Sequence, residues 1–150
     1  MKILFVCTGN TCRSCMAEAI FNSMCNIKGI EAFSAGASVI AESRTSLNSA
    51  SVVKENLNVD ISGRKAVQLT PFLVDTCDLV LTMTSYLSDM LRSHMEKSAN
   101  KIYSLSEYIE LEGDVTDPYG KSVEVYRQTY RDLEKRLEML IKKLNEDRSI

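Results

Sequence analysis

Histidine is nearly missing from this chain: His94 is the only one among 150 residues. That removes the commonest metal ligand, and the pair Cys12 and Cys15 has no second pair of ligands to complete a zinc site. No metal or other cofactor is called for. Nor does any apolar run approach the roughly 20 residues that a bilayer-spanning helix needs. The apolar stretch at 3–7 is too short for a signal-peptide core and ends in polar residues. The expected compartment is therefore the cytoplasm, with no membrane partner. An excess of one charge is absent too: the net charge of −2 offers no basic surface for nucleic acid. No internal repeat or low-complexity linker interrupts the chain, so residues 1–150 read as one domain, large enough for its own core. No interface stripe stands out, and a monomer is expected. A disulfide framework is also excluded. The five cysteines are odd in number, no export signal precedes them, and Cys7, Cys12 and Cys15 crowd into nine residues. Thiols in that setting are available for chemistry.

What is present is an alternation of short apolar runs and helical patterns. Residues 2–7 (KILFVC) read as a fully buried strand. Met16, Ile20, Met24 and Ile27 then recur at helical spacing, with Gly29 as a stop. A second strand is expected over 30–35, a helix over 45–57 and a loop over 61–69. Thr70-Pro71 is an N-cap followed by proline at the first helical position. Residues 78–83 (DLVLTM) make the clearest strand, and Thr84 or Ser85 caps a helix to about Glu96. A fourth strand is expected over 101–105, a loop over 111–122, and a long amphipathic helix from Val123 to about Asn145. Val125, Leu133, Leu137, Leu140 and Leu144 are its expected core contacts. The order implies an α/β fold: a four-stranded parallel sheet with helices on both faces. In such sheets ligands bind beyond the carboxyl ends of the strands, which is where Cys7 falls.

The stretch CTGNTCRS, residues 7–14, is the candidate site. Gly9 and Asn10 tolerate left-handed backbone angles, so successive N–H groups can turn inward as an anion nest. The helix beginning near Ser14 adds its free N–H groups and dipole. Arg13 adds a planar fork suited to two phosphate oxygens. Around Cys7 every group favours negative charge, which points to a thiolate nucleophile in a tetrahedral-oxyanion cradle and hence to phosphoryl transfer to sulfur. A leaving group also needs an acid, and Asp117 in the turn DPYG (117–120) is the candidate, with Tyr119 as a wall. The plainer reading of Asp117 is a turn cap.

CTGNTCRS, SAG at 34–36, DLVLTM and DPYG together resemble the low-molecular-weight protein tyrosine phosphatases, in order and over essentially the whole chain. The resemblance implies a cysteine-dependent protein phosphatase that needs no metal. Cys7 would form a cysteinyl-phosphate. Arg13 and the backbone N–H groups of Thr8, Gly9, Asn10, Thr11 and Cys12 would hold the phosphoryl oxygens. Ser14 would donate to the Cys7 sulfur, Asn10 would shape the loop, and Asp117 would protonate the leaving group and then activate water. Partners would be phosphorylated proteins.

Within the family, Thr11 in place of an aliphatic residue, DPYG in place of Asp-Pro and two aromatics, and TMTSYLSDM after the third strand all resemble the bacterial protein arginine phosphatase branch. Thr11 would make a narrower, more polar pocket, and Tyr119 could stack on a guanidinium. Phosphoarginine is thus the favoured substrate and phosphotyrosine the alternative. A thioredoxin-coupled arsenate reductase would need two further cysteines after the third strand, where this chain has only Cys77 before it. A phosphate-binding module would need neither the thiol nor the acid. Cys15 departs from the family's usual proline. Its helix-start position should acidify it, and it joins Cys12 as a candidate redox partner for oxidised Cys7. Cys25 and Cys77 read as packing residues, His94 as a surface residue at a helix end, and Glu134 and Glu138 as a solvated face.

Overall fold

All of β1 (Lys2–Cys7) after its first residue is buried. The reason is its place in the sheet. In the computed structural model, which describes residues 1–148, β1 pairs in parallel on both sides. It meets β2 (Glu31–Gly36) with Lys2 opposite Glu31 and Cys7 opposite Gly36. It meets β3 (Leu79–Thr82) with Ile3 opposite Leu79. β4 (Ile102–Ser104) completes the parallel order β2-β1-β3-β4. The side chains of β1 alternate between two cores, as a strand buried on both faces requires. Ile3, Phe5 and Cys7 join the core under α1 (Arg13–Met24), α2 (Leu47–Leu57) and α6 (Val123–Arg148). Leu4 and Val6 join the one under α3 (Pro71–Thr76) and α4 (Ser85–His94). The expected fold class is borne out.

Local signals set most of the ends. Ser46 caps α2, its hydroxyl accepting from Ser49 N–H at 3.2 Å, so the helix starts two residues later than expected. Thr70 and Thr84 cap α3 and α4 through the N–H groups of Leu73 and Leu87. Three expectations change. α1 stops at Met24, where Cys25 is already extended, so Ile27 is not helical although it packs against the core. The Asn22 side chain exchanges two hydrogen bonds with the backbone of Ala32, which ties the end of α1 to β2, a strand that begins at Glu31, one residue later than expected. The fourth strand ends at Ser104, because a capping box between Ser104 and Glu107 starts the short α5 (Leu105–Tyr108), which the sequence pattern did not reveal. On α6, Val125 is only half-buried. The stripe runs instead through Tyr126, Tyr130, Leu133, Leu137, Leu140 and Leu144, at helical spacing one position round from Val125. Cys77 is buried and Cys25 packs partly against the first core. His94 is exposed near the end of α4, its Nδ1 2.8 Å from the Met90 carbonyl.

Candidate active site

β1 delivers Cys7 to the carboxyl edge of the sheet, and residues 8–12 must carry the chain from there into α1. Three carbonyls of residues 7–12 are held by neighbouring segments. Ala37 N–H donates to Cys7 C=O and Ser38 N–H to Thr8 C=O, each at 2.9 Å; Ser46 N–H donates to Thr11 C=O at 3.0 Å. Among the described residues, the N–H groups of Thr8, Gly9, Thr11, Cys12 and Arg13 meet no protein acceptor. Carbonyls held elsewhere and free N–H groups are what an anion nest requires. Of the two residues expected to bend the loop, only Asn10 is left-handed (φ 56°). Gly9 is not, so the bend comes from Asn10 alone. The glycine that close packing does require is Gly36: a Cβ there would lie 2.7 Å from the Thr8 carbonyl oxygen. Its bare backbone lets β2 press against the loop.

Asn10 is wholly buried and uses both ends of its amide. Its Oδ1 accepts from Val67 N–H and from Arg64 Nη1, each at 2.9 Å, which fixes the amide orientation. Its Nδ2 donates to Ser14 Oγ at 2.7 Å and Ser34 Oγ at 3.0 Å. Ser14 Oγ therefore accepts from Asn10, and its own hydrogen is free for Cys7 Sγ, 2.9 Å away. Asn10 N–H also donates to that sulfur at 3.3 Å. Two donors on one sulfur stabilise negative charge there. The chain of bonds continues outward: Ser34 Oγ accepts from Arg64 Nη2 at 2.7 Å and donates to Glu18 Oε1 at 2.8 Å. Glu18, Ser34, Arg64 and Val67 thus hold the residue that orients Ser14. Sequence reasoning missed Glu18, Arg64 and Val67, which lie in no recognisable motif; for Ser34 the SAG stretch was the only signal.

Arg13 opens α1 and is 5 % exposed. Its Nη1 donates to Val115 C=O at 3.2 Å, and its Nη2 stands 3.5 Å from Asp117 Oδ2. Its Nε is buried and has no partner among the described residues. A buried orphan donor is costly unless something else satisfies it, and an anion in the cradle would. Asp117 sits in the loop between α5 and α6 with its side chain half exposed. Its Oδ1 accepts from Tyr119 N–H at 3.1 Å, so it caps the turn and faces Arg13 at once. A cavity of about 440 Å³ covers Cys7, Thr8, Gly9, Thr11, Cys12 and Arg13 and is walled by Ile40, Arg44, Asp117 and Tyr119. The structure thus brings Cys7, Thr11, Arg13, Asp117 and Tyr119 to one opening, and adds Ile40 and Arg44 from a segment without a motif.

The two other thiols of the loop differ. Cys12 Sγ lies 3.3 Å from the Tyr126 hydroxyl and donates to Ser46 Oγ at 3.5 Å. Burial, then the hydrogen bond with Cys12, pushes the Tyr126 hydroxyl up to about 12. Cys15 is 1 % exposed and donates to the Cys12 carbonyl at 3.2 Å. The helix start was expected to acidify it; instead burial, with the nearby Cys7 second, pushes its thiol strongly upward. Desolvation outweighs the partial charge of the helix end here. Among the described residues, no group of three or more His, Cys, Asp or Glu side chains is placed to hold a metal ion.

The model of the low molecular weight phosphotyrosine protein phosphatases matches residues 2–150. The chain belongs to that family. It is 37% identical to the protein-arginine-phosphatase of Bacillus subtilis (strain 168), over 99% of each chain. It is 38% identical to the low molecular weight protein-tyrosine-phosphatase PtpB of Staphylococcus haemolyticus (strain JCSC1435), over 89% of this chain and 92% of the other. A solved structure of the arginine phosphatase YwlE, a Cys-to-Ser mutant with a phosphorylated active site serine, superimposes with a TM-score of 0.91 at 36% identity over 99% of each chain. The family is one of cysteine-dependent phosphatases. Among the described residues no helix is long and apolar enough to cross a membrane.

Proposed function

We propose that this protein removes phosphate from phosphoarginine in proteins, through a cysteinyl-phosphate on Cys7. The observation that carries the reaction class is the pair of donors on Cys7 Sγ beneath a loop of free N–H groups, with Arg13 and Asp117 3.5 Å apart at its mouth. In the first displacement the thiolate attacks phosphorus and the P–N bond to the guanidine breaks. Asp117 gives its proton to the leaving nitrogen. In the second, Asp117 takes a proton from water as the water oxygen attacks phosphorus and the P–S bond breaks, returning the thiolate. Arg13 and the loop N–H groups stabilise the equatorial oxygens in both steps. The relative carrying a phosphorylated serine at its active site supports this assignment of the nucleophile.

For phosphoarginine over phosphotyrosine, the support is that Thr11 and Tyr119 line the same cavity, together with two curated relatives named as arginine phosphatases at 37% and 36% identity. A relative of 38% identity is named a tyrosine phosphatase, which keeps phosphotyrosine as the second reading. The test is phosphate release from a phosphoarginine protein and a phosphotyrosine peptide, side by side, for wild type and Thr11→Ile. The expected result is preference for phosphoarginine in the wild type, reversed by Thr11→Ile. Wild-type preference for phosphotyrosine would leave Thr11 a loop residue only. On this reading the enzyme works as a cytoplasmic monomer, and oxidised Cys7 is trapped reversibly by Cys12, with Cys15 as a slower partner because its thiol is hard to ionise.

A further inference from the structure

α6 presents a face of leucines and tyrosines to the core, and in the middle of it stands an arginine. Arg136 is 6 % exposed, between the fully buried Leu133 and Leu137. A guanidinium in such a place is costly unless its donors are met, and two of its three nitrogens have partners. Nε donates to Asp132 Oδ1 at 2.8 Å. Nη1 donates to Ser106 Oγ at 2.6 Å and to Gly113 C=O at 2.9 Å, and Ser106 Oγ itself donates to Gly113 C=O. One helix, α5 and the segment leading to Asp117 are thereby tied at a single point. Gly113 is left-handed (φ 87°), so it is the bend from which that segment departs.

The next two residues are tied as well. Asp114 Oδ1 accepts from Ser85 N–H at 2.9 Å at the start of α4, and Val115 N–H donates to Met83 C=O at 3.1 Å beyond β3. Val115 C=O then accepts from Arg13, the residue that faces Asp117. Between Val115 and Asp117 only Thr116 intervenes, and the one buried side chain that Asp117 meets among the described residues is Arg13, which the Val115 carbonyl itself holds. Its position at the cavity that Cys7 also lines thus depends on the anchored stretch as well as on Arg13, and Arg136 holds the first anchor.

We infer that Arg136 is a positioning residue: by fixing Gly113 and Ser106 it aims the Asp117 carboxyl at the leaving group. The inference rests on the reading of Asp117 as the acid. Its test uses the full chain and two aryl phosphates, p-nitrophenyl phosphate with a good leaving group and phenyl phosphate with a poor one. A misplaced acid matters little for the first and strongly for the second. In kcat/KM, which covers steps through leaving-group departure, Arg136→Met should lose about tenfold or more on phenyl phosphate and less than about threefold on p-nitrophenyl phosphate. Competitive inhibition by inorganic phosphate should stay the same, since the cradle is intact. Arg136→Lys, which can reach Gly113 C=O but has no fork, should fall between and stands in should the Met variant fail to fold. Asp117→Asn serves as control and should show the same leaving-group dependence, more steeply. An equal loss on both substrates, or no loss, in Arg136→Met or Arg136→Lys overturns the inference while the steep Asp117→Asn control leaves the acid standing. A flat Asp117→Asn response instead refutes the acid, and the positioning role with it.

Discussion

Replacing Asn10 separates what its hydrogen bonds contribute from what its backbone angle costs. In Asn10→Gly the left-handed angle is free, but four side-chain hydrogen bonds go: to Ser14 and Ser34, and from Arg64 and Val67. At about 1 kcal/mol net per bond, the loss is about 4 kcal/mol. Arg64 and Val67 are partly exposed, and water can meet some of what they lose. Ser14 and Ser34 are buried but keep other partners (Cys7, and Arg64 with Glu18), so the two bonds to them set the expected loss at about 2 kcal/mol or more. Asn10→Ala loses the same four bonds and also places a Cβ residue at φ 56°, for about 1 kcal/mol more. Against a total stability of about 5–15 kcal/mol both variants still fold. The assay is urea unfolding at neutral pH, followed by kcat/KM on p-nitrophenyl phosphate at a urea-free temperature where all three proteins are folded. Activity should fall at least about tenfold in both, because Ser14 is no longer aimed at Cys7. A loss under about 1 kcal/mol in the glycine variant, or an alanine variant as stable as the glycine one, would refute the account of the network.

Two further predictions concern buried groups away from the cradle. The Tyr130 hydroxyl is buried and unpartnered among the described residues, and burial pushes it up to about 12. Tyr130→Phe should therefore leave stability unchanged or raise it by about 1 kcal/mol, seen as a Tm higher by a few degrees; a drop of about 2 kcal/mol would mean the hydroxyl has a partner. Cys15 provides the alkaline test. Its folded thiol holds its proton to higher pH than the unfolded thiol, whose ordinary value is 9.0. The stability it contributes is thus fully present below pH 9 and is lost as pH rises beyond it, at up to about 1.4 kcal/mol per pH unit. Denaturant midpoints measured from pH 8 to 10 should decline in the wild type and decline less in Cys15→Ala. Parallel declines would show that the Cys15 proton is not what the fold retains.

The fold was legible because its signals are local. β1, β3 and the helices between them are each carried by a short run whose period or cap can be read in isolation, and Thr70-Pro71 and Thr84 mark their helices as the sequence says. Errors arose where a distant residue decides. α1 ends early because Asn22 reaches Ala32, and α6 turns Val125 aside because Tyr126 fits between the cradle's Cys12 and the core. α5 is set by a box of only four residues, too short for a periodic pattern.

The site divides along the same line. A loop of eight consecutive residues announces itself, because thiol, bend and fork are adjacent in sequence and their chemistry depends on that adjacency. What holds the loop does not. Gly36, Arg64 and Val67 reach Thr8 and Asn10 across 28, 54 and 57 positions, and each is a single residue in an otherwise ordinary stretch. Arg136 is the extreme case: helical period places it on the apolar stripe with Leu133 and Leu140, while its charge alone suggests the surface. Cys15 shows the converse: its sequence position argues for an acidic thiol, but which way the side chain turns decides its surroundings, and it turns into the core. The helix-end partial charge acts on a thiol that water would also have to stabilise, and with water excluded the proton stays on sulfur. Adjacency encodes the reacting groups, and burial, which depends on the whole chain, decides which of them react.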